Sequence, residues 1–299
     1  MAEIRFDGKV AVVTGAGGGL GRTHALLLAS RGAKVVVNDL GGAPDGTGES
    51  KSLADKVVGE IRAAGGEAVP NYDSVATMEG GAGIIKAATD TFGRIDILIN
   101  NAGILRDVSF LKMDEESWDI IFSVHVKGAF CCSKAAWPIM REQQYGRIMM
   151  TSSAAGIYGN FGQANYSAAK MALIGLGQTL ALEGKKYNVH ANTIAPIADS
   201  RLTATVLPED IRKKLKPEYV SPLVAYLCSE QCEETGGLFE VGAGSFFHLK
   251  WSRSEGSTVK TDEVSIEKIA ENFSKIIDMT NAKPVGSIQE STMSFLENS

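Results

Sequence analysis

A tyrosine and a lysine four positions apart, Tyr166 and Lys170, are the residues best suited to chemistry in this sequence. Positions i and i+4 of a helix project from the same face, so the two side chains can act together. A phenol with an ordinary pKa near ~10 is a poor base at neutral pH, and a neighbouring ammonium group favours the phenolate. Ser153 ends a predicted strand, where its hydroxyl would hydrogen-bond a substrate oxygen. The pattern predicts Tyr166 as a general base; the alternative is a buried tyrosine beside a surface lysine.

Glycines fill the turn between the first predicted strand and the helix that follows it. The segment TGAGGGLG at residues 14–21 carries Gly15, Gly19 and Gly21. Glycine permits a tight turn, and the main-chain N–H groups of a helix N-terminus attract a pyrophosphate. Asp39 ends the second predicted strand, where a carboxylate accepts hydrogen bonds from the adenosine ribose and repels a ribose phosphate. A dinucleotide site that prefers NAD over NADP is therefore expected, provided that Arg22 does not offset the charge of Asp39.

Short β-branched runs alternate with longer helical patterns, which favours βαβ units and a parallel sheet covered by helices on both faces. The predicted strands are 10–14, 34–39, 68–73, 95–100, 146–152, 189–195 and 238–241. The predicted helices are 20–31, 52–64, 78–92, 114–142, 165–187 and 219–229. The predicted fold class is therefore α/β, with a doubly wound sheet of seven strands.

Two segments are predicted to lie outside this sheet. Residues 41–50, GGAPDGTGES, are polar and Gly-rich and are interpreted as a surface loop. From about residue 251 the chain is rich in Ser, Glu, Lys and Thr, with one amphipathic stretch at 266–279 whose apolar positions recur at helical spacing. The simplest division is a dinucleotide-binding domain at 1–250 and a C-terminal extension or linker at 251–299.

Composition limits the classes of partner. The 299 residues carry a net charge of −5, with 44% hydrophobic and 22% charged residues, which is typical of a globular chain. No run of Lys or Arg indicates binding to nucleic acid or to anionic lipid. Neither a secretory signal nor an apolar run of about 18 residues is present, so a soluble, intracellular protein is expected. The four cysteines lack zinc-type spacing and the four histidines are scattered, which predicts reduced thiols and no metal site.

Four motifs follow one another along the chain: TGxxxGxG at residues 14–21, NNAG at 100–103, Ser153, and YxxxK at 166–170. Together they resemble the short-chain dehydrogenase/reductase family over about residues 5–245. The resemblance implies a seven-stranded Rossmann fold, NAD as the cofactor and hydride transfer with Tyr166 as the base. It also implies that Lys170 holds the nicotinamide ribose and that Ser153 orients the substrate oxygen.

The resemblance also assigns residues to the cofactor site. Besides Gly15, Gly19, Gly21, Asp39, Tyr166 and Lys170, these are Leu20, Asp73, Ser74, Val75, Asn101, Ala102, Gly103, Pro196, Ile197 and Ala198. Two positions depart from the family pattern. His125 stands where many members carry an asparagine that supports a water relay to the lysine, so it either carries that relay or is a core histidine. Pro196-Ile197 replaces the usual Pro-Gly, with its backbone contact to the carboxamide expected to survive.

Longer segments narrow the resemblance to one branch of the family. VVVNDLGG, NNAGILRD and YGNFGQANYSAAK are similar to the (3R)-hydroxyacyl-CoA dehydrogenase part of peroxisomal multifunctional enzymes, which an enoyl-CoA hydratase normally follows. This implies an acyl-CoA substrate, fatty-acid β-oxidation and a homodimer formed through the helices at 114–142 and 165–187. It also implies a peroxisomal location as part of a longer enzyme, since no SKL-like address ends this chain.

Three other functions remain as alternatives. They are a 3-oxoacyl carrier-protein reductase, a steroid oxidoreductase and a non-catalytic NAD-binding protein. Asp39 argues against the first, because such reductases generally use NADPH and the carboxylate of Asp39 would repel the ribose phosphate of that cofactor. The presence of Ser153, Tyr166 and Lys170 argues against the last.

Overall fold

Short apolar runs form the strands of one large sheet in the computed structural model, which describes residues 3–43, 45, 47–48, 50–198 and 214–296. The strands are β1 (Val10–Thr14), β2 (Lys34–Asn38), β3 (Glu67–Asn71), β4 (Ile97–Asn100), β5 (Gly146–Thr151), β6 (Val189–Pro196), β7 (Leu238–Gly242) and β8 (Ser245–Leu249). Their order is β3-β2-β1-β4-β5-β6-β7-β8, and the pairs from β3 to β7 are parallel. The strand order reverses between β1 and β4, as in a Rossmann sheet. The predicted doubly wound α/β fold is confirmed.

In the part of the chain that the structure describes, this sheet has eight strands: the seven predicted strands form its parallel part, and the eighth, β8, was not predicted. β8 follows β7 after two residues, Ala243 and Gly244, whose φ angles of 49° and 78° are both positive. Two positive φ values are typical of the type I′ turn that joins antiparallel strands, so β8 returns along β7 as a hairpin. The sequence signal for this turn is weak, because alanine rarely adopts a positive φ and Asn-Gly or Asp-Gly usually marks such a turn.

Helices cover both faces of the sheet. They are α1 (Gly19–Ser30), α2 (Ser52–Ala63), α3 (Met78–Phe92), α4 (Glu115–Phe122), α5 (Gly128–Gln143), α6 (Ala154–Tyr158), α7 (Ala164–Gly184) and α8 (Ser221–Leu227). In β1, Ala11 and Val13 belong to a buried apolar cluster with α1 and α2, whereas Val10 and Val12 belong to a second cluster with α3 and α5. Alternate residues of a strand point to opposite faces of the sheet. A sheet that is buried on both faces therefore needs apolar side chains at consecutive positions of its strands.

The single helix predicted at 114–142 is interrupted. α4 ends at Phe122, Ser123–Lys127 form a π-helical turn, and α5 begins at Gly128. The wider turn redirects the side chains that follow, and it places His125 in a buried position. The other predicted helices differ from those observed only near their ends. α6 was not predicted, because its five residues are too few to show helical periodicity.

The chain divides into two compact units, Met1–His248 and Leu249–Ser299. The described residues of the second unit form α9 (Ile266–Ile276), α10 (Ile288–Leu296) and an antiparallel pair of strands, β9 (Ser252–Arg253) and β10 (Lys283–Pro284). α9 corresponds to the amphipathic stretch predicted at 266–279, and Ser265 caps it by accepting a hydrogen bond from the Lys268 N–H. Only this one helix was predicted after residue 251, so α10 was missed. Among the described residues, no helix has both the length and the apolar character that a membrane span requires.

Candidate active site

A cleft of about 710 Å³ opens where the carboxyl ends of the central strands meet. A doubly wound sheet binds its ligands at this edge. The predicted site residues on its walls are Gly15, Gly19, Leu20, Asp39, Asp73, Ser74, Val75, Asn101, Ala102, Gly103, His125, Ser153, Tyr166, Lys170, Pro196, Ile197 and Ala198. Gly21 does not line the cleft, because it is buried behind the loop, where a Cβ would collide with the Gly15 carbonyl oxygen. Gly21 therefore serves the close packing of the loop on α1.

The glycine-rich loop turns from β1 into α1 beside the cleft. Gly15 and Gly19 have φ angles of 63° and 50°, a region in which most side chains are strained. A Cβ at Gly15 would also lie 2.8 Å from the Ala102 backbone. α1 begins at Gly19, and its N-cap residue, Gly18, brings no capping side chain. The N–H groups of the first turn and the positive end of the helix dipole are therefore suited to an anion.

Thr14 and Asn101 hold this loop against the end of β4. Thr14 Oγ1 accepts hydrogen bonds from the N–H groups of Asn101 and Ala102 at 3.0 and 3.1 Å. In return, Asn101 Nδ2 donates to Thr14 O and Gly15 O at 2.9 and 3.1 Å. The NNAG motif thus fixes the position of the glycine-rich loop.

Asp39 lies after β2 and is held by main-chain groups on both sides. Its Oδ2 accepts a hydrogen bond from Gly17 N, and its Oδ1 accepts one from Gly41 N, both at 2.7 Å. A Cβ at Gly17 would lie 2.7 Å from Oδ2, so any residue other than glycine at position 17 would collide with the carboxylate in this position. Arg22, the residue that would have offset this charge, instead donates to Glu60 Oε2 from Nε at 2.9 Å. Arg22 is therefore engaged by Glu60 and is not the partner of Asp39 among the described residues.

Buried asparagines fix the turn after β3. Asn38 Nδ2 donates to Asn71 Oδ1 at 2.8 Å and to Asp73 O at 2.9 Å. Asn71 Nδ2 donates to Asp73 Oδ2 at 2.8 Å. Asn38 and Asn71 are both buried, so this network is shielded from water and holds Asp73 and Ser74 at the cleft.

Ser153, Tyr166 and Lys170 converge from two elements. Ser153 is the N-cap of α6, and its hydroxyl accepts a hydrogen bond from the Ala155 N–H at 3.2 Å. Tyr166 and Lys170 lie one turn apart on α7, with Lys170 Nζ 5.4 Å from the centre of the Tyr166 ring. Lys170 Nζ also donates to Thr151 O at 2.7 Å, which anchors it at the end of β5.

Burial dominates the proton affinities of this cluster. Desolvation raises the pKa of Tyr166 to about 12, although a hydrogen bond with Ser153 opposes the rise. Desolvation also lowers the pKa of Lys170 to about 7. Burial therefore outweighs the effect that the neighbouring Lys170 was expected to have on the pKa of the phenol. A phenolate at neutral pH requires a further positive charge in the cleft.

The family model described as short chain dehydrogenase matches residues 9–210. This chain belongs to the short chain dehydrogenase family. The predicted family is confirmed, and with it the chain is an oxidoreductase.

Relatives extend the comparison beyond the matched domain. The chain is 59% identical over 298 residues to the peroxisomal multifunctional enzyme type 2 of Mus musculus, a match that covers 99% of this chain and 40% of the mouse protein. The full-length peroxisomal multifunctional enzyme type 2 of Drosophila melanogaster has a similar structure, with a TM-score of 0.84 and 47% identity over 98% of this chain and 50% of that one. This chain therefore spans half or less of the length of these relatives.

A 7α-hydroxysteroid dehydrogenase complexed with NADH and 7-oxo glycochenodeoxycholic acid is a more distant structural neighbour. Its TM-score is 0.73 at 27% identity, over 81% of this chain and 95% of that one.

His125 lies in the π-helical turn beside Tyr166. The two rings meet edge to face with centroids 5.4 Å apart. His125 Nε2 lies 3.1 Å from the N atom and 2.9 Å from the O atom of Ile104, so the imidazole holds the backbone that follows NNAG. Nδ1 is buried with no hydrogen-bond partner among the described residues. Burial and the charge of Lys170 hold the pKa of His125 well below its ordinary value, which keeps the ring neutral.

Ile197 follows β6 and takes part in the sheet. Its N–H donates to Val241 O at 2.8 Å. The N–H is therefore engaged in the pairing of β6 with β7, and the backbone contact to a carboxamide that was expected at this position stays a prediction. The side chain lines the cleft and remains 47% exposed.

Three polar residues of the cleft wall were not predicted. Gln163 Nε2 donates to Asp107 Oδ2 at 2.7 Å, and Asn160 Nδ2 donates to Gln163 Oε1 at 2.9 Å. Asp107 and Gln163 are 56 positions apart, so no local sequence pattern predicts that they are in contact. Their closeness to the NNAG and YxxxK motifs is the signal that would have marked them.

The described residues form no candidate metal site. No group of three or more His, Cys, Asp or Glu side chains is arranged there to hold a metal ion. The four cysteines are free thiols and are buried. Burial raises the pKa of Cys132 and of Cys228 to about 12, so both sulfurs stay protonated at neutral pH.

Proposed function

We propose that this chain oxidises (3R)-hydroxyacyl-CoA to 3-ketoacyl-CoA with NAD, in the β-oxidation of fatty acids in peroxisomes. The observation that carries the proposal is the meeting of two sets of residues in one cleft. The glycine-rich loop and Asp39 suit a dinucleotide, whereas Ser153, Tyr166 and Lys170 suit an alcohol and its proton. Hydride transfer needs both in one place.

NAD fits the residues of the first set. The uncapped start of α1 would hold the pyrophosphate, and Asp39 would accept hydrogen bonds from the ribose hydroxyls and repel a ribose phosphate. Asp73, Ser74 and Val75 would line the adenine end. When bound, NAD supplies the acceptor for a hydride from the substrate and a positive charge near the phenol of Tyr166.

The chain's own residues hold the substrate oxygen and its proton. Ser153 would donate a hydrogen bond to the substrate oxygen, and Tyr166 would take the hydroxyl proton as the C3–O bond becomes a carbonyl. The substrate thereby loses one proton to Tyr166 and one hydride from C3, which balances the two-electron oxidation. Lys170, whose pKa is about 7, is partly charged at neutral pH and would favour the phenolate.

Fixing the substrate oxygen also selects the enantiomer. The two enantiomers present the C3 hydrogen to different sides once the oxygen and the CoA portion are held. A misplacement of about 1 Å can cost about 100-fold in rate, so one enantiomer should dominate. The mouse and Drosophila relatives are named peroxisomal multifunctional enzymes, and this likeness supports the (3R) substrate, the peroxisomal location and an enoyl-CoA hydratase in a longer protein.

A steroid alcohol is the second candidate substrate. The structural neighbour that was solved with a bile-acid ketone favours it, and a Ser, Tyr and Lys set can oxidise either kind of alcohol. A 3-oxoacyl carrier-protein reductase is less favoured, because the carboxylate of Asp39 opposes NADPH.

The deciding experiment is an NADH-formation assay with separate (3R)- and (3S)-hydroxyacyl-CoA substrates of equal chain length and with a 7α-hydroxy bile acid. We expect rapid NADH formation with the (3R) substrate. Preference for the (3S) substrate would contradict the proposed branch and leave the cofactor assignment standing. Turnover of the bile acid alone would select the second candidate.

The role of His125 is tested by the His125→Ala variant. A lower kcat with unchanged NAD affinity would show that a proton relay passes through the imidazole. An unchanged kcat would show that His125 is a core histidine.

A further inference from the structure

Residues just before Tyr166 hold the loop that follows the NNAG motif. Asn165 Nδ2 donates to Arg106 O at 3.2 Å, and Gln163 Nε2 donates to Asp107 Oδ2 at 2.7 Å. The loop is thereby tied to the start of α7 through both its backbone and a side chain. The carboxylate of Asp107 is held at the helix end that carries Tyr166.

The amide of Gln163 has a defined orientation. Asn160 Nδ2 donates to Gln163 Oε1 at 2.9 Å, so the oxygen of this amide is used as an acceptor and its nitrogen faces Asp107. An amide nitrogen can only donate, which matches an ionised carboxylate. Gln163 precedes Tyr166 by three positions, and both residues line the cleft together with Asp107.

The groups that face Tyr166 differ in charge. On the same helix, Lys170 Nζ lies 5.4 Å from the ring centre, and from the π-helical turn the neutral ring of His125 lies 5.4 Å away. Ser153 hydrogen-bonds from the start of α6, and α4 contributes apolar side chains. Asp107 brings a negative charge from the loop after β4, and this charge adds to burial in raising the pKa of Tyr166.

We propose that Asp107 is a positioning residue which, held by Gln163 on the cleft wall that also carries Tyr166, brings a negative charge into the cleft and so sets the pH range in which the site accepts the substrate proton. The inference rests on the proposed role of Tyr166 as the base. A carboxylate opposes the phenolate, so it moves proton acceptance, and with it alcohol oxidation, to higher pH. In the reverse direction the same charge keeps the phenol protonated and ready to donate to a ketone.

The test uses the full chain and the Asp107→Asn variant, which keeps an acceptor for Gln163 and removes the charge. Protein labelled with carbon-13 at Cζ of tyrosine and saturated with NAD is titrated by NMR, with the Tyr166 resonance identified by its loss in Tyr166→Phe. We expect the Tyr166 midpoint to fall by about 0.5–1 pH unit, a small shift because Asp107 is exposed. The acid limb of kcat/KM for oxidation should move by the same amount.

Asp119→Asn, on the exposed side of α4, is the matched control and should leave the midpoint unchanged. Gln163→Met should lower the midpoint by less than Asp107→Asn does, because the carboxylate keeps its charge and loses its anchor. An unchanged midpoint in Asp107→Asn, or an equal shift in Asp119→Asn, would overturn the inference. Failure of the proposed function would look different: Tyr166→Phe would retain turnover, whatever the titration of Asp107→Asn shows.

Discussion

Asp39 is bound by two main-chain N–H groups, yet each oxygen keeps a lone pair for a ribose hydroxyl. We expect Asp39→Ala to lower kcat/KM with NAD by about 10–100-fold, the value of a hydrogen bond to a charged group, and to lower it less with NADP because repulsion is lost too. Steady-state kinetics with both cofactors measure the change. Asp262→Ala, an exposed aspartate of the second unit, is the control. Comparable efficiencies of the wild type with NAD and NADP would contradict the assignment.

Tyr166 carries the proton in the proposed reaction. Tyr166→Phe removes one oxygen and keeps the ring that packs against His125, so the fold and NAD affinity should change little. We expect kcat to fall by about 10²–10⁴-fold, the usual contribution of a general base. Tyr226→Phe removes a hydroxyl from α8, away from the residues that line the cleft, and should leave kcat unchanged. Retained turnover in Tyr166→Phe would exclude this residue as the base.

At the scale of elements, patterns that depend on neighbours in the chain could be predicted from the sequence. The i, i+4 spacing of Tyr166 and Lys170 needs only a helix, and the glycines of the first turn need only a strand that runs into a helix. The carboxyl end of β2 likewise places Asp39 beside that turn. These residues meet in the cleft because a parallel sheet brings the ends of its strands to one edge.

Features that depend on contacts between residues far apart in the chain, or on rare backbone geometry, could not be predicted from the sequence. Asp107 meets Gln163 only once β4 and α7 are packed in the fold. The π-helical turn around His125 leaves the apolar periodicity of its helix nearly intact, and the turn at Ala243 uses a residue that seldom adopts a positive φ. Burial, which outweighs the expected effect of Lys170 on the pKa of Tyr166, is likewise a property of the assembled core.

Asn165 fixes the start of α7. It is fully buried, its Nδ2 donates to Arg106 O at 3.2 Å and to Ser117 O at 2.8 Å, and its Oδ1 accepts from Tyr166 N at 2.8 Å. Asn165→Ala leaves these main-chain groups unpaired, so the free energy of unfolding should fall by about 1–3 kcal/mol in urea titrations. We also expect a lower kcat, because α7 carries the proposed base. Asn281→Ala is the exposed control, and equal stability of the two variants would refute the anchoring role.

His24 links α1 to α8 through a hydrogen bond between its Nδ1 and Ser221 Oγ at 2.8 Å. Burial lowers the pKa of His24 from 6.5 to about 3. Between these pH values the unfolded chain binds a proton that the folded chain does not, so the stabilisation present above pH 6.5 is lost as the pH falls. From pH 7 to pH 5 the wild type should therefore lose about 2 kcal/mol more than His24→Gln.

Urea unfolding at the two pH values measures this difference. His248→Gln, at an exposed histidine, is the control and should lose as much stability as the wild type. An equal loss in His24→Gln and in the wild type would show that His24 does not become protonated on unfolding in this range.

For the whole molecule, we predict that two chains associate through the exposed face of α7. Met171, Gly175, Gln178 and Leu182 recur there at helical spacing, and Leu182 is 80% exposed. A Cβ at Gly175 would meet nothing within 4 Å, so this glycine is not required inside its own chain and leaves room for a second backbone. We expect a homodimer that uses this face, with twice the mass of one chain in light scattering at micromolar concentration.

The Gly175→Arg variant tests whether the exposed face of α7 is needed for dimer formation and not for folding of the single chain. The arginine has open space within its own chain, so the monomer should fold, but it would fill the approach of a second α7 and the measured mass should halve. Gly59→Arg on α2 is the matched control, because a Cβ there also meets nothing within 4 Å and the position lies outside the proposed interface. A dimer that persists in Gly175→Arg would move the interface elsewhere, and a monomeric wild type would contradict the association itself.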